Sequence, residues 1–415
     1  MKISIIIPTH NRAESLKSTI QSIVSLQDDN FFELVIVDNN STDYTKQIVG
    51  EFSSLIEIKY IFEKNTSFSM ARKTGANNAR GEILLFLDDD VLVNKGSLKS
   101  IIEIFTHYPD CAIIAGKIDA QYSEQPPLWT LSCQKNFNGW SLFNSETYKF
   151  LKKNFQEVPS AAGPMMAIRK TIYNMVDGFP PDTVGVETNK GDKSFNKLYI
   201  GPGDYGICLK VREAGFKIYF SESVSIFHVI PPVRFTIQFW RSRMIGEGYY
   251  KAISNRGFFN MGKFRMYLIQ LLHEYHLLRL EEKLYYKFSK NSANHNADGM
   301  DPNELWLFYY KSYLDMNFVL SIHPNLWKLL WAIGKNGVAD KDYDQFFETL
   351  PHEYKNIVSS EFIYDVSPVN SLISYKKIIQ NRGHYYKSRS LFFSNKITRG
   401  IFISFFKFKN IFNFK

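Results

Sequence analysis

Over the first 90 residues, short apolar runs alternate with stretches in which apolar residues recur at helical spacing. Four runs predict buried strands, at residues 3–7, 34–38, 56–62 and 82–88. Helical spacing occurs between them, at residues 11–26 and 69–79. Pro8 is expected to end the first strand, and Ser41 or Thr42 can cap a helix after the second. This alternation predicts a parallel sheet with helices on both faces.

Polar side chains follow three of these predicted strands. They are Pro8, Thr9, Asn11 and Arg12 after the first strand, Asp38, Asn39 and Asn40 after the second, and Asp88, Asp89 and Asp90 after the fourth. Ligands of such sheets bind beyond the carboxyl ends of the strands. A single aspartate after a strand is most often a cap or a turn residue, but three clusters at one edge of a sheet predict a binding site.

The run of Asp88, Asp89 and Asp90 at the end of an apolar strand predicts a bound cation, because adjacent carboxylates repel each other. Hard divalent cations prefer oxygen ligands. Asp88 and Asp90 alternate along the chain and can point to one place, which suits Mg²⁺ or Mn²⁺ bridging to a nucleotide diphosphate. The alternative is a solvated acidic turn.

From about residue 158 the pattern changes. Residues 160–170 are small and apolar, and residues 185–203 form a polar, glycine-rich stretch that predicts a mobile loop. A short helix is expected from Asp204 to Ala214, closed by Gly215, with a strand after it and His228 beyond that strand. Past residue 235 the pattern is mainly helical, most strongly at residues 304–320.

Composition and charge limit the possible partners. The length of 415 residues allows two or three domains, and a hydrophobic content of 45% is that of a globular chain. The net charge is +9, yet residues 366–415 alone contain ten lysines and arginines and no acidic residue. The basicity therefore belongs to a tail, which argues against a nucleic-acid groove across the fold. The three cysteines, Cys111, Cys133 and Cys208, follow no metal-binding pattern and fit a reduced, cytosolic chain.

The tail interleaves phenylalanine with lysine at residues 401–415. Aromatic rings at the headgroup level and lysines facing anionic lipid would attach it to a membrane surface. The alternative is a tail packed on its own fold or on a second subunit. No apolar stretch of the sequence approaches the roughly 20 residues of a membrane-spanning helix. We therefore expect a cytoplasmic protein that is soluble or peripheral on the inner face of the plasma membrane.

Several segments together resemble the family-2 glycosyltransferases, which have the GT-A fold. They are SIIIPTHNR, ELVIVDNNSTD, MARKTGANNARGEILLFLDDD, AAGPMMAIRK, and GDYGICLKVREAGFKIYF followed by His228. Each segment is weak evidence alone, but their order and spacing are specific. The resemblance spans the N-terminal 235 residues, a little over half of the chain. The resemblance implies a Rossmann-like, mixed, mostly parallel α/β sheet with helices on both faces. A mainly helical C-terminal region would follow it.

The resemblance also implies roles for individual residues. The donor nucleotide sugar would contact Pro8, Thr9, Asn11, Arg12, Asp38, Arg72, Asp88, Asp89 and Gly163. Mn²⁺ or Mg²⁺ would be held by Asp88, Asp90 and His228. Asp204 matches the last acid of the family's Glu-Asp pair and would be the general base. Its expected place at a helix start, after a flexible loop, suits proton abstraction from an acceptor hydroxyl.

The interpretation is an inverting, metal-dependent glycosyltransferase of the bacterial surface-polysaccharide type. It would transfer one sugar from a UDP-sugar to a saccharide or lipid-linked saccharide. The predicted parts are a catalytic domain at 1–235, a helical extension at 236–365 and the basic tail at 366–415. Gly203 and Gly206 replace two acids common in the family. A catalytically impaired, nucleotide-sugar-binding or scaffold protein of the same fold therefore remains the alternative. A sugar-phosphate nucleotidyltransferase is disfavoured, because PTHNR lacks its glycine-rich signature.

Overall fold

A computed structural model describes residues 2–26, 32–64, 67–137, 154–180 and 203–237, with isolated positions at 239–240, 243–244, 246–248, 251, 305–306, 309–310 and 313. The strands are β1 (Ile3–Thr9), β2 (Phe32–Asp38), β3 (Ile58–Phe62), β4 (Ile83–Leu87), β5 (Val91–Val93), β6 (Cys111–Tyr122), β7 (Phe155–Glu157), β8 (Met165–Arg169) and β9 (Lys217–Ile230). The helices are α1 (Ala13–Val24), α2 (Thr45–Glu51), α3 (Phe68–Asn78), α4 (Ser97–His107), α5 (Leu128–Phe137), α6 (Lys170–Met175) and α7 (Gly203–Glu213), followed by a 3-10 helix at Pro232–Phe235.

These strands form one mixed sheet in the order β3-β2-β1-β4-β8-β6-β9-β5, with β7 also paired to β9. Strands β1, β2, β3, β4, β6 and β9 run in one direction, while β5, β7 and β8 oppose them. The expected mixed, mostly parallel α/β sheet is confirmed. Alternation of apolar runs alone predicted only parallel strands. It missed β8, which enters between β4 and β6 in the opposite direction.

Helices cover both faces of the sheet, as predicted. Alternate residues of each strand point to opposite faces, so that Ile5 and Ile7 belong to one core and Ile6 to the other. The first core receives Leu16 of α1, Ile48 of α2 and Leu98 of α4; the second receives Ala71 of α3, Ile172 of α6 and Ile207 of α7.

Gly75 lets α3 approach the sheet closely, because a Cβ there would overlap the Ile6 side chain. Its nearest neighbours in the second core are Ile6 of β1 and Val37 of β2. The helix that carries Arg72 is therefore held directly against the sheet.

Several predicted boundaries were wrong. Strand β1 continues through Pro8, which pairs with Val37 of β2; pairing with β4 ends at Ile6, so the proline lies where β1 has lost one neighbour. Neither Ser41 nor Thr42 caps α2, which begins at Thr45. Instead, Asp43 accepts hydrogen bonds from the Thr45 amide and hydroxyl. Strand β9 extends to Ile230, so that His228 lies within it and not beyond it.

Other predictions fall largely outside the described residues. These include the glycine-rich loop at 185–203, apart from Gly203, and the tail at 366–415. Within the predicted helix at 304–320, the described positions Leu305, Trp306, Tyr309, Tyr310 and Tyr313 are helical. Across the described part of the chain, no helix has the length and apolar character needed to cross a membrane.

Candidate active site

The three polar clusters meet at one edge of the sheet. Strands β2 and β4 flank β1 on opposite sides. The chain therefore crosses from one half of the sheet to the other as it passes from β3 to β4, and the switch point lies between the neighbouring strands β1 and β4. Such a crossing opens a crevice beyond the carboxyl ends of the strands. At this crevice Thr9 ends β1 and Arg12 follows it, while Asp88, Asp89 and Asp90 follow β4.

Arg12 joins two of the three adjacent aspartates. Its Nη1 donates to Asp89 Oδ1 at 2.6 Å and its Nη2 to Asp90 Oδ2 at 2.7 Å. Thr9 Oγ1 donates to the other Asp89 oxygen at 2.7 Å. Charge-assisted bonds of this kind neutralise the repulsion between neighbouring carboxylates. Asp89 is therefore bound by residues at the end of β1, while Asp90 also has contacts with residues of a second segment.

Asp90 has a second set of partners delivered by β9. Val91 of β5 pairs with His228, which places His228 Nε2 at 3.3 Å from Asp90 Oδ2. Arg234 Nη2, from the 3-10 helix, lies at the same distance from that oxygen. The Asp90 side chain is buried, so two guanidinium groups and an imidazole converge on one desolvated carboxylate.

The environments of the three aspartates shift their pKa values in different directions. Burial raises the pKa of Asp88, an effect that the Arg72 guanidinium opposes. Burial likewise raises the pKa of Asp89 to about 6 despite the charge of Arg12. For Asp90, burial is outweighed by Arg12, His228 and Arg234, which hold its pKa below the ordinary range. Asp90 is therefore the carboxylate of this run that is most firmly ionised.

Arg72 bridges the carboxylates of Asp204 and Asp88. Arg72 Nη1 lies 2.5 Å from Asp204 Oδ1, while Nη2 lies 3.2 Å from Asp88 Oδ1 and donates to the Gly163 carbonyl oxygen at 3.2 Å. Asp204 lies in the first turn of α7, as expected, and its side chain is partly exposed. The structure thus brings Asp204 and Gly163 to the same crevice as the aspartate run.

The remaining predicted donor residues lie beside β1 and β2. Asn11 has a left-handed backbone with φ of 51°, and its side-chain oxygen accepts from the Thr42 amide at 2.7 Å. Asp38 is buried, with one oxygen accepting from the Ser41 amide at 2.8 Å and the other from the Tyr60 hydroxyl at 2.6 Å. Asp38 therefore holds the loop after β2 in place, and the predicted contact with a base stays a prediction.

Two predicted ligands, Asp88 and Asp90, suit a divalent ion held mainly by a nucleotide. Within the described residues, no three histidine, cysteine or acidic side chains form a ready-made metal cage. However, Mg²⁺ commonly takes one or two carboxylates and completes its shell with substrate phosphates and water. Asp90 Oδ1 is buried and has no hydrogen-bond partner in the described part of the chain, and Asp88 is partly exposed. These carboxylates therefore fit the ion, whereas His228 Nε2 already faces Asp90.

Sequence reasoning missed three contributors to this site. Arg234 contacts both Asp90 and His228, and the available signal was a basic residue six positions after His228. Phe68 and Phe179 lie on the guanidinium of Arg72, at 4.0 and 4.9 Å from their ring centroids. No local pattern distinguishes these phenylalanines from ordinary core residues.

Comparison with known proteins finds a family match for the N-terminal part of this chain. Residues 4–176 match the model described as glycosyl transferase family 2. The glucosyl-dolichyl phosphate glucuronosyltransferase of Haloferax volcanii is 18% identical over 61% of this chain and 77% of its own length. The Staphylococcus aureus poly(ribitol-phosphate) β-N-acetylglucosaminyltransferase TarS is 26% identical over 49% of this chain and 39% of its own length.

Several bacterial relatives with identities of 30% or more match about a quarter of this chain, which covers a third or less of their length. Among solved structures, the Pyrobaculum calidifontis mannosyltransferase PcManGT, in complex with GDP-Man and Mn²⁺, is 15% identical. It superposes over 86% of this chain and 83% of its own with a TM-score of 0.42, too low to support an argument. The family match contains β1, β2, β4 and the whole aspartate run, whereas Asp204, His228 and Arg234 lie beyond it. Residues 4–176 of this chain are therefore similar to glycosyl transferase family 2.

Proposed function

We propose that this chain is an inverting, metal-dependent glycosyltransferase that moves one sugar from a UDP-sugar to a saccharide or lipid-linked saccharide. The observation that carries the proposal is the pairing of Asp88 and Asp204 through one guanidinium, at 3.2 and 2.5 Å. One crevice then offers Asp88 and Asp90 for a diphosphate-bound cation. It also offers a separate, partly exposed carboxylate, that of Asp204, for the acceptor.

Asp204 is the group proposed to take the proton of the acceptor hydroxyl. The hydroxyl oxygen forms a bond to the anomeric carbon, and the bond from that carbon to the β-phosphate oxygen breaks. Its electron pair leaves with the nucleoside diphosphate, and the proton on Asp204 is later released to water. Atoms and charge balance without a further reactant, and attack opposite the leaving group inverts the anomeric carbon.

The positive groups around the aspartate run suit the leaving diphosphate. When bound at Asp88 and Asp90, with His228 as the further predicted ligand, Mn²⁺ or Mg²⁺ would neutralise the diphosphate as a Lewis acid. Arg12 and Arg234 add two permanent positive charges at Asp90. Charges fixed in advance in a water-poor crevice stabilise a developing negative charge without reorganisation.

The relatives support the class of acceptor. One is named for transfer to a glucosyl-dolichyl phosphate and another for transfer to poly(ribitol-phosphate). The first name describes a lipid-linked saccharide acceptor and the second a polymer acceptor, which agrees with a role in surface polysaccharide or glycoconjugate synthesis. The basic, aromatic tail would keep the enzyme at the cytoplasmic membrane surface where a lipid-linked acceptor lies.

The first experiment measures thermal unfolding of the purified protein with UDP, GDP, CDP or TDP, each with Mn²⁺ and with a chelator. A ligand that binds the folded state raises the unfolding midpoint. We expect a shift with UDP that requires the metal. A shift with another nucleotide would reassign the donor, and the absence of any shift would contradict nucleotide-sugar binding.

The second experiment separates an enzyme from a scaffold. Wild type and Asp204→Asn are compared for release of UDP from UDP-sugars, with saccharides as acceptors. We expect Asp204→Asn to keep the UDP-dependent shift and to lose turnover. The alternative of an impaired, nucleotide-sugar-binding scaffold rests on Gly203 and Gly206, and it predicts binding without turnover in both proteins.

A further inference from the structure

Arg72 is a buried cation whose hydrogen-bonding edge faces two carboxylates. It is 1% exposed, and its two terminal nitrogens contact Asp204 Oδ1, Asp88 Oδ1 and the Gly163 carbonyl oxygen. A buried charge is tolerated when it is paired and hydrogen-bonded. Arg72 therefore has little surface left for a donor molecule, although its place in the sequence suggested a contact with the nucleotide.

Aromatic rings hold the guanidinium in this orientation. Phe68 and Phe179 lie 4.0 and 4.9 Å from it, so contact by their rings leaves its N–H edge directed at the carboxylates. Phe179 is in turn packed edge-on against Phe86 of β4 at 4.9 Å. A lysine here would keep the charge but could not bridge both carboxylates while its head group is stacked.

The backbone that carries Arg72 is also well anchored. The Ser67 side chain caps α3 by accepting from the Met70 amide at 3.2 Å, and Gly75 packs directly on β1. Gly75 lies within one turn of Arg72, and Ser67 lies five residues before it, at the start of the same helix. The guanidinium is thus positioned by the sheet and not by the loop that precedes α7.

We propose that Arg72 is the positioning residue of the general base: it fixes Asp204 Oδ1 so that Oδ2 faces the acceptor hydroxyl. This inference depends on the proposed function, in which Asp204 is that base. Oδ1 is held by Arg72, while Oδ2 has no hydrogen-bond partner among the described residues. The shared contact with Asp88 also joins the base to the donor side of the crevice.

The test is a double-mutant cycle in turnover, with Arg72→Gln, Asp204→Asn and the double variant. The probe is release of UDP from the UDP-sugar that the wild type uses, together with the affinity for UDP and Mn²⁺ measured directly. Misplacing a reacting group by about 1 Å costs on the order of a hundredfold in rate. We expect Arg72→Gln to lower kcat by roughly that factor and to change UDP affinity by less than about threefold.

A residue that acts through Asp204 adds no loss once Asp204 is neutral. The double variant should therefore be no slower than Asp204→Asn, within about threefold. Arg72→Lys should restore less than a tenth of the lost rate, because it cannot bridge. Lys99→Gln, which removes an exposed charge from α4, is the matched control and should leave kcat and UDP affinity unchanged.

Two kinetic outcomes would overturn the proposal. One is a UDP affinity at least tenfold weaker in Arg72→Gln with kcat unchanged, which would make Arg72 a donor contact. The other is a further large loss of rate in the double variant. If Asp204→Asn kept wild-type turnover, the base assignment itself would fail, independently of Arg72.

Thermal unfolding of the wild type, Arg72→Gln, Asp204→Asn and the double variant tests the contact between Arg72 and Asp204 without a measurement of turnover. If Arg72 and Asp204 are paired, the loss in unfolding midpoint of the double variant is smaller than the summed losses of the single variants. Strictly additive losses would mean that the pair is absent in solution, and the positioning role would be rejected even for a protein with no measurable activity.

Discussion

The carboxylate of Asp204 lies against the backbone of Gly163. A Cβ on Gly163 would stand 2.7 Å from the carboxylate carbon and 2.9 Å from Oδ1, and it would overlap the other oxygen. Gly163, two residues before β8, thus has to be a glycine for the Asp204 carboxylate to occupy its observed place. This contact connects two segments that are far apart in sequence.

Gly163→Ala is therefore expected to displace the Asp204 carboxylate and to lower kcat by about a hundredfold, with little change in UDP affinity. Steady-state kinetics and UDP binding measure the two effects separately. Gly50→Ala is the matched control, because its Cβ would meet nothing within 4 Å on α2. Full activity in Gly163→Ala would show that the contact does not position the base.

Asp90→Asn should abolish the Mn²⁺-dependent rise in unfolding midpoint with UDP. It removes a proposed charged ligand of the ion and leaves Arg12 and Arg234 without their shared carboxylate. The variant should also be less stable, by at most about 3 kcal/mol, because the partly exposed Arg12 and Arg234 lose a buried carboxylate partner while Arg12 keeps Asp89. Asp110→Asn, which breaks an exposed ion pair with Lys217, should cost less than about 1 kcal/mol and keep the UDP response. A normal metal-dependent shift in Asp90→Asn would remove Asp90 from the metal site.

The buried carboxylate of Glu33 is expected to make the free energy of unfolding sensitive to acid, independently of the active site. Burial disfavours its charge, but bonds from the Ser4 hydroxyl, the Arg80 amide and the Arg80 guanidinium lower its pKa to about 2. The unfolded value is about 4.3. The stabilisation, at most about 3 kcal/mol, is complete above pH ~4.3 and is lost as pH falls toward about 2.

Unfolding of Glu33→Gln and wild type between pH ~4.3 and ~2 tests whether this stabilisation is lost as the pH falls. The variant should be less stable than wild type at pH 7 and should lose less stability between pH ~4.3 and ~2. Glu57→Gln is the control, since Glu57 accepts from the same Arg80 but is exposed. Its effect should remain within about 0.5 kcal/mol. Parallel pH profiles for Glu33→Gln and wild type would refute the assignment.

Tyr60→Phe tests how the loop after β2 is held. The Tyr60 hydroxyl donates to buried Asp38 at 2.6 Å, and both burial and this bond raise the pKa of Tyr60. Loss of a hydrogen bond to a charged group should cost about 1.5–3 kcal/mol in unfolding free energy, read from denaturant melts. Tyr44→Phe, which loses a bond from an exposed hydroxyl to Glu14, should be nearly neutral. Equal effects of the two variants would argue against a buried structural role for Asp38.

The sequence by itself determined the fold class and the edge of the sheet where the site lies. Both follow from local periodicity: apolar runs such as residues 34–38 define buried strands, and parallel strands must end at a common edge. Since Asp38 and Asp88 are the last residues of two such runs, their shared location at the carboxyl ends of the strands needs no knowledge of packing. The family resemblance rested on the same short segments.

Tertiary structure decided which side chains contact one another. Arg72 and Asp204 are 132 positions apart, and their 2.5 Å pairing depends on how α3 and α7 pack on one face of the sheet. His228 reaches Asp90 because β9 continues to Ile230 and pairs with β5, an extension that its mixed pattern did not reveal. Local patterns record burial and backbone preference, whereas the partner of a charged group is chosen by distant segments that share its crevice.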